Sequence, residues 1–180
     1  METAVWEEKA PVLCMVRDKK EVSWINPLLS KTESALADIR LSMSDVEDAE
    51  ARLKRFAPFI SRVFPETKER NGIIESPLKE IPGMKEELNR SWDAGLSGKL
   101  YLKMDSNLAV AGSVKARGGI YEILKYAEDL ALEHGVIRPG DNYEKFAEPS
   151  VREFFSRYSV HVGSTGNLGM SIGIISAVLG

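Results

Sequence analysis

The 180 residues carry 24 basic and 27 acidic side chains, a net charge of -3, with 43% apolar and 28% charged residues. That balance reads as a soluble, globular chain: one domain with a sizeable core, or part of a larger one. It offers no basic field for nucleic acid.

At the N-terminus, Glu7 and Glu8 stand where a secretory signal needs a basic start and an apolar run, which predicts a cytosolic protein. Cys14 is the only cysteine, and with His134 and His161 as the only histidines no metal cluster of recognised spacing can be assembled. Cys14 reads as a small packed residue. Residues 44–60 open on a capping box, Ser44 and Glu47, and place Val46, Ala49, Leu53 and Phe56 on one helical stripe, a packing face. Pro58, Pro65, Pro77 and Pro82 then punctuate the chain and predict broken helix and loop.

The pattern changes near residue 99. Residues 99–104 read as a short strand and 113–134 as an amphipathic helix capped by Gly135. A short helix near "SVREFFSRY" follows, then a second strand at 158–163, the turn "GSTGNLG" and a further helix. Strand, glycine-rich turn and helix, twice over, is the pattern of an α/β sheet. The apolar stretch 168–180 is too short to span a bilayer, which needs about 20 residues, so no membrane role is expected.

Two places in this second half carry chemistry. In "SVKARGG", Lys115 is followed at i+3 and i+4 by Gly118 and Gly119, which share its helix face and clear space beside it. Each helical glycine costs about 1 kcal/mol relative to alanine, so the space calls for a reason. A lysine held on the core side of the helix beside Arg117 suits a nucleophile or Schiff-base former; the alternative is a lysine whose stem packs and whose head reaches water. In 163–169, backbone N–H groups at a helix start, with Ser164, Thr165 and Asn167 adding polar groups, form an anion site for a carboxylate or phosphate. The spacing is neither GxGxxG nor that of a P-loop.

Together "DSNLAVAGSVKARGGIYEILKYAEDLALEHG" and "VGSTGNLGMSIGIISA" resemble the pyridoxal-phosphate enzymes of the tryptophan-synthase-β, or type II, fold, and within it the D-serine dehydratases. The similarity extends upstream through "RLKRFAPFISRVFPET" and "GIIES". The resemblance implies that Lys115 carries pyridoxal phosphate, with the glycines making room for its ring. It further implies that Asn167 hydrogen-bonds the ring oxygen and that Ser164, Thr165 and the backbone at Gly166 receive the carboxylate of a small amino acid. The reaction implied is β-elimination of D-serine to pyruvate and ammonia; an L-serine or L-threonine dehydratase of the same fold is the alternative.

The fold implied is α/β: a helical region over 1–98, then over 99–180 the first strand-helix units of a cofactor-binding sheet. Members of that fold also have a glycine-rich phosphate loop and a residue facing the pyridine nitrogen, and neither is found in these 180 residues. The chain therefore reads as an N-terminal portion, inactive by itself and prone to self-association through exposed apolar surface. A non-catalytic binding module is the reading from a different class.

Overall fold

A computed structural model describes residues 8–37 and 39–180. Glu7, half of the acidic pair in the signal argument, lies outside them. The chain divides into two compact units, Met1–Met43 and Ser44–Gly180. Within the first, α1 (Val12–Arg17) and α2 (Thr32–Ala37) bury no residue, and Cys14 is half-buried and unbonded.

The second unit is built around α3 (Met43–Val63), which starts one residue before Ser44 and buries Arg52, Phe56, Phe59 and Ile60. The expected stripe is only partly used. Val46 is exposed, Ala49 and Leu53 are half-buried, and the buried face turns toward Arg52. The expected break at Pro58 does not occur. Proline removes one helical hydrogen bond, but Pro58 sits on the exposed side while Phe56, Phe59 and Ile60 on either side are packed, so tertiary burial overrides the local penalty.

A 3-10 helix (Pro65–Arg70) leads to a reversal at Asn71 (φ 52°) and Gly72 (φ 78°) that returns the chain against α3. A Cβ on Gly72 would lie 2.0 Å from the carbonyl oxygen of Ala57, so only glycine permits this approach. Strand β1 (Leu78–Glu80) pairs antiparallel with β2 (Tyr101–Lys103), Leu78 opposite Lys103 and Glu80 opposite Tyr101, across the connecting helix α4 (Pro82–Trp92). The strand expected at 99–104 is thus present over its middle; its partner lies in the stretch expected to be broken helix and loop.

Helix α5 (Lys115–Glu133) ends as expected before Gly135, whose φ is 65°. A 3-10 helix (Tyr143–Ala147), α6 (Pro149–Phe155) and α7 (Asn167–Leu179) complete the unit. Its core centres on Phe56, Phe59, Ile120, Leu124, Phe146 and Ile175, with the rings of Phe56 and Phe146 4.8 Å apart.

The α/β expectation stands only in its coarser form, a mixed helical chain with one small sheet. Residues 158–163 are not a strand: they are exposed, and among the described residues no backbone hydrogen bond involves 159–163. Their alternating pattern suits a strand, but a strand needs a neighbour for its backbone groups and none is present here. Among the described residues no helix is long and apolar enough to cross a membrane.

Candidate active site

Helices α5 and α7 lie side by side and run the same way. A Cβ on Gly119, near the start of α5, would stand 3.0 Å from Leu168 Cδ1 and 3.3 Å from Ile172 Cγ1, at the start of α7. Farther along, Ile123 and Leu130 share a groove with Ser176 and Leu179. Lys115 precedes Gly119 by one turn and Asn167 immediately precedes Leu168. The structure therefore brings Lys115 and the turn 163–169 to the same end of the helix pair.

The surroundings of Lys115 differ from the expectation of a lysine on the core side. Its side chain and Gly118 are exposed, whereas Gly119 is buried against α7. Helix geometry explains the split. At about 100° per residue, Ala116, Ile120, Ile123 and Ala127 define the buried arc; Gly119 falls at its edge, Lys115 just beyond and Gly118 farther into solvent. Gly118 has no atom within 4 Å of where a Cβ would stand, so the open space beside Lys115 is real. Among the described residues, no hydrogen bond or ion pair engages Lys115 Nζ; the backbone N–H of Lys115 donates to Ser113 Oγ at 3.3 Å.

The turn is shaped by Gly169. A Cβ there would lie 2.1 Å from the carbonyl oxygen of Ser164, so the turn folds back onto the first turn of α7. Gly166 is the N-cap and no side chain caps it; its own N–H donates to Ser164 Oγ at 3.4 Å. The first amides of a helix have no partner within it, so this end is free to receive an anion. Ser164 is half-buried and Thr165, Gly166 and Asn167 are exposed. Ser171 Oγ, beneath them, donates to the carbonyl oxygen of Asn167 at 2.6 Å.

Two charged clusters escaped the sequence. In the first, Glu75 accepts a hydrogen bond from Lys103 Nζ and pairs with Arg117 Nη1 at 3.3 Å, and Ser76 Oγ donates to Asp105 Oδ1 at 2.8 Å. The Lys103 hydrogen bond, with the Arg117 charge, holds the Glu75 carboxyl below the ordinary range. In the second, Glu128 of α5 is buried beneath α3. It accepts from Arg52 Nε at 2.5 Å, Arg55 Nε at 2.8 Å and Tyr143 Oη at 2.6 Å, while Arg52 Nη1 donates to Tyr121 Oη at 2.6 Å and pairs with Asp48 at 2.9 Å. Burial pulls the Glu128 carboxyl up, but hydrogen bonds from Arg55, Tyr143 and Arg52 outweigh it and hold the group below its ordinary range. Burial and the Glu128 carboxylate push the Tyr143 phenol up to about 12. No sequence motif marks either cluster; the excess of arginines near "RLKRF" over what a packing face needs is the only signal.

Among the described residues no group of three potential metal ligands occurs. No protein-family model matches the chain. Over 179 residues, 99% of its length, it is 55% identical to a protein of Bacillus cereus named Probable D-serine dehydratase, taking in 40% of that protein. A protein of the same name from Chromobacterium violaceum is 51% identical over 177 residues, 98% of this chain and 40% of that protein. The chain thus spans about two-fifths of the length of the curated relatives it matches. The resemblance carried by the two glycine motifs holds along the whole chain.

Proposed function

We propose that this chain, similar to two-fifths of a D-serine dehydratase, contributes the lysine and the anion-binding turn of a pyridoxal-phosphate site that converts D-serine to pyruvate and ammonia in the cytosol. The observation that carries the proposal is the convergence of Lys115 and residues 163–169 at one end of the α5/α7 pair. The residues fit the cofactor: an exposed amine that no ion pair among the described residues engages, open space at Gly118, and an uncapped helix start.

Lys115 would hold the cofactor covalently through Nζ. The Asn167 side-chain amide would donate to its ring oxygen, and Ser164, Thr165 and the amides around Gly166 would receive the substrate carboxylate. When bound, pyridoxal phosphate supplies an aldehyde that captures amines and a ring that acidifies the adjacent carbon. The chain's own part would be to orient the substrate by its carboxylate and, once the substrate's amine has displaced Lys115 Nζ, to move a proton at the substrate's Cα through that freed amine. Loss of the β-hydroxyl as water, then hydrolysis, gives pyruvate and ammonia. The D configuration is supported by the relatives' name alone.

The test is to add pyridoxal phosphate, reduce with borohydride and map the modified peptide. Lys115 is expected to carry the pyridoxyl group. Labelling at Lys103, which is tied to Glu75, or at Lys125, paired with Asp129 at 2.7 Å, overturns the assignment. In a full-length relative, pyruvate release from D-serine rather than L-serine is the expected substrate result.

A further inference from the structure

We propose that Glu75 is a positioning residue for Lys115: its carboxylate staples together the two ends of the segment 104–116 that delivers the lysine. One oxygen, Oε1, accepts from Lys103 Nζ at the end of β2, before the segment. The other, Oε2, pairs with Arg117 Nη1 in the first turn of α5, just after it. Lys115 stands between these grips, two residues from Arg117. This rests on Lys115 being the lysine that takes the cofactor.

The staple is itself anchored. The backbone N–H of Ser76 donates to Glu75 Oε1 at 3.2 Å, and Lys103 Nζ also donates to the carbonyl oxygen of Ser76 at 2.9 Å. Ser76 is buried and its hydroxyl donates to Asp105 Oδ1, while the N–H of Met104 donates to Pro77 O at 2.9 Å. Glu75 thus sits on a fixed base where β1 begins beside the end of β2.

The delivered segment needs such a hold. Val110 has φ 76°, a conformation strongly disfavoured for a β-branched residue, and such a position persists only when the structure around it over-determines it. Leu108 is buried and its carbonyl oxygen accepts from the Gly112 N–H at 3.0 Å, which fixes the middle of the loop. Its ends are fixed by Glu75. Glu75 engages both Lys103 and Arg117, so Lys115 is the one basic residue of that helix turn left without a partner among the described residues.

The experiment uses pyridoxal phosphate as the probe on the whole chain, with borohydride trapping, peptide mapping and amide hydrogen exchange. Glu75→Gln keeps the shape of the side chain and removes its charge. It is expected to lower labelling of Lys115 about fivefold, the scale of a partly exposed charge network, and to speed exchange over 108–117, with labelling of Lys125 unchanged. Arg117→Gln, at a partly exposed position, is expected to do the same without touching Glu75. Arg117→Lys, which can still make the single contact seen here, is expected to restore labelling. Wild-type labelling at Lys115 with no loss in Glu75→Gln and Arg117→Gln overturns the staple while leaving the cofactor assignment standing. Wild-type labelling away from Lys115 overturns the assignment and the staple with it.

Discussion

Glu128 shows most directly how single residues hold this chain in shape. Its carboxylate is almost fully removed from water, a cost of several kcal/mol for one ion that is repaid only if its lone pairs are filled. Arg52, Arg55 and Tyr143 fill them, joining α3, α5 and the 3-10 helix at 143–147. Glu128→Gln keeps the shape but leaves two guanidinium groups facing a neutral amide, Arg52 among them nearly buried. Breaking a buried pair costs about 3–5 kcal/mol, so the variant is expected to lose stability of that order in urea unfolding. The pH dependence has a definite sign. The carboxyl is depressed in the folded chain, so the unfolded chain binds the proton more tightly. The stabilisation is complete above the unfolded value of about 4.3 and is lost as pH falls through the lower folded value. Midpoints measured from pH 6 to 2 should fall more steeply in the wild type than in Glu128→Gln; parallel curves would show that the cluster does not carry this linkage.

At the scale of elements, the glycines separate structural from functional demands. Gly169 faces the carbonyl oxygen of Ser164 at a distance no Cβ tolerates, so Gly169→Ala must open the turn and is expected to destabilise the chain. Gly118 meets nothing and has ordinary helical φ. Gly118→Ala is expected to gain about 0.5–1 kcal/mol of helix stability, a few degrees at most in Tm, yet to lower pyridoxal-phosphate labelling of Lys115 by filling the space beside it. Gain of stability with undiminished labelling would mean that the space serves no ligand. Helices α5 and α7, the turn between residues 163 and 169, and the strand at 101–103 were legible because each rests on local signals: period, cap or glycine. Two things were not. Arg52 lies at a helical position whose burial depends on a carboxylate 76 residues away, and residues 158–163 have the alternation of a strand without a neighbour to make them one. Motif singles out Lys115 and Asn167 as candidates, but their convergence depends on the parallel packing of α5 on α7, which no local pattern encodes.

For the whole molecule, the surface that the second unit leaves uncovered has a consequence in solution. Tyr126, Tyr158 and Val160 are exposed and line one apolar groove beside Ile123 and Leu179, and Val162 is exposed two residues on. The backbone of 159–163 carries donors and acceptors that nothing among the described residues satisfies. An unpaired segment with apolar side chains alternating along it is a template for strand addition by another chain, and the apolar groove next to it gives such pairing a second source of free energy. We therefore expect the 180-residue chain to self-associate, with sedimentation velocity showing larger species as concentration rises through about 10 to 100 μM, the range of a weak contact. Replacing Val160 and Val162, both exposed, together by lysine places charge on this edge, the device by which natural sheets discourage pairing. The double variant should stay monomeric over the same range with its thermal midpoint unchanged. A wild-type chain that is monomeric throughout would refute the association, and association that persists in the double variant would move it to a different surface.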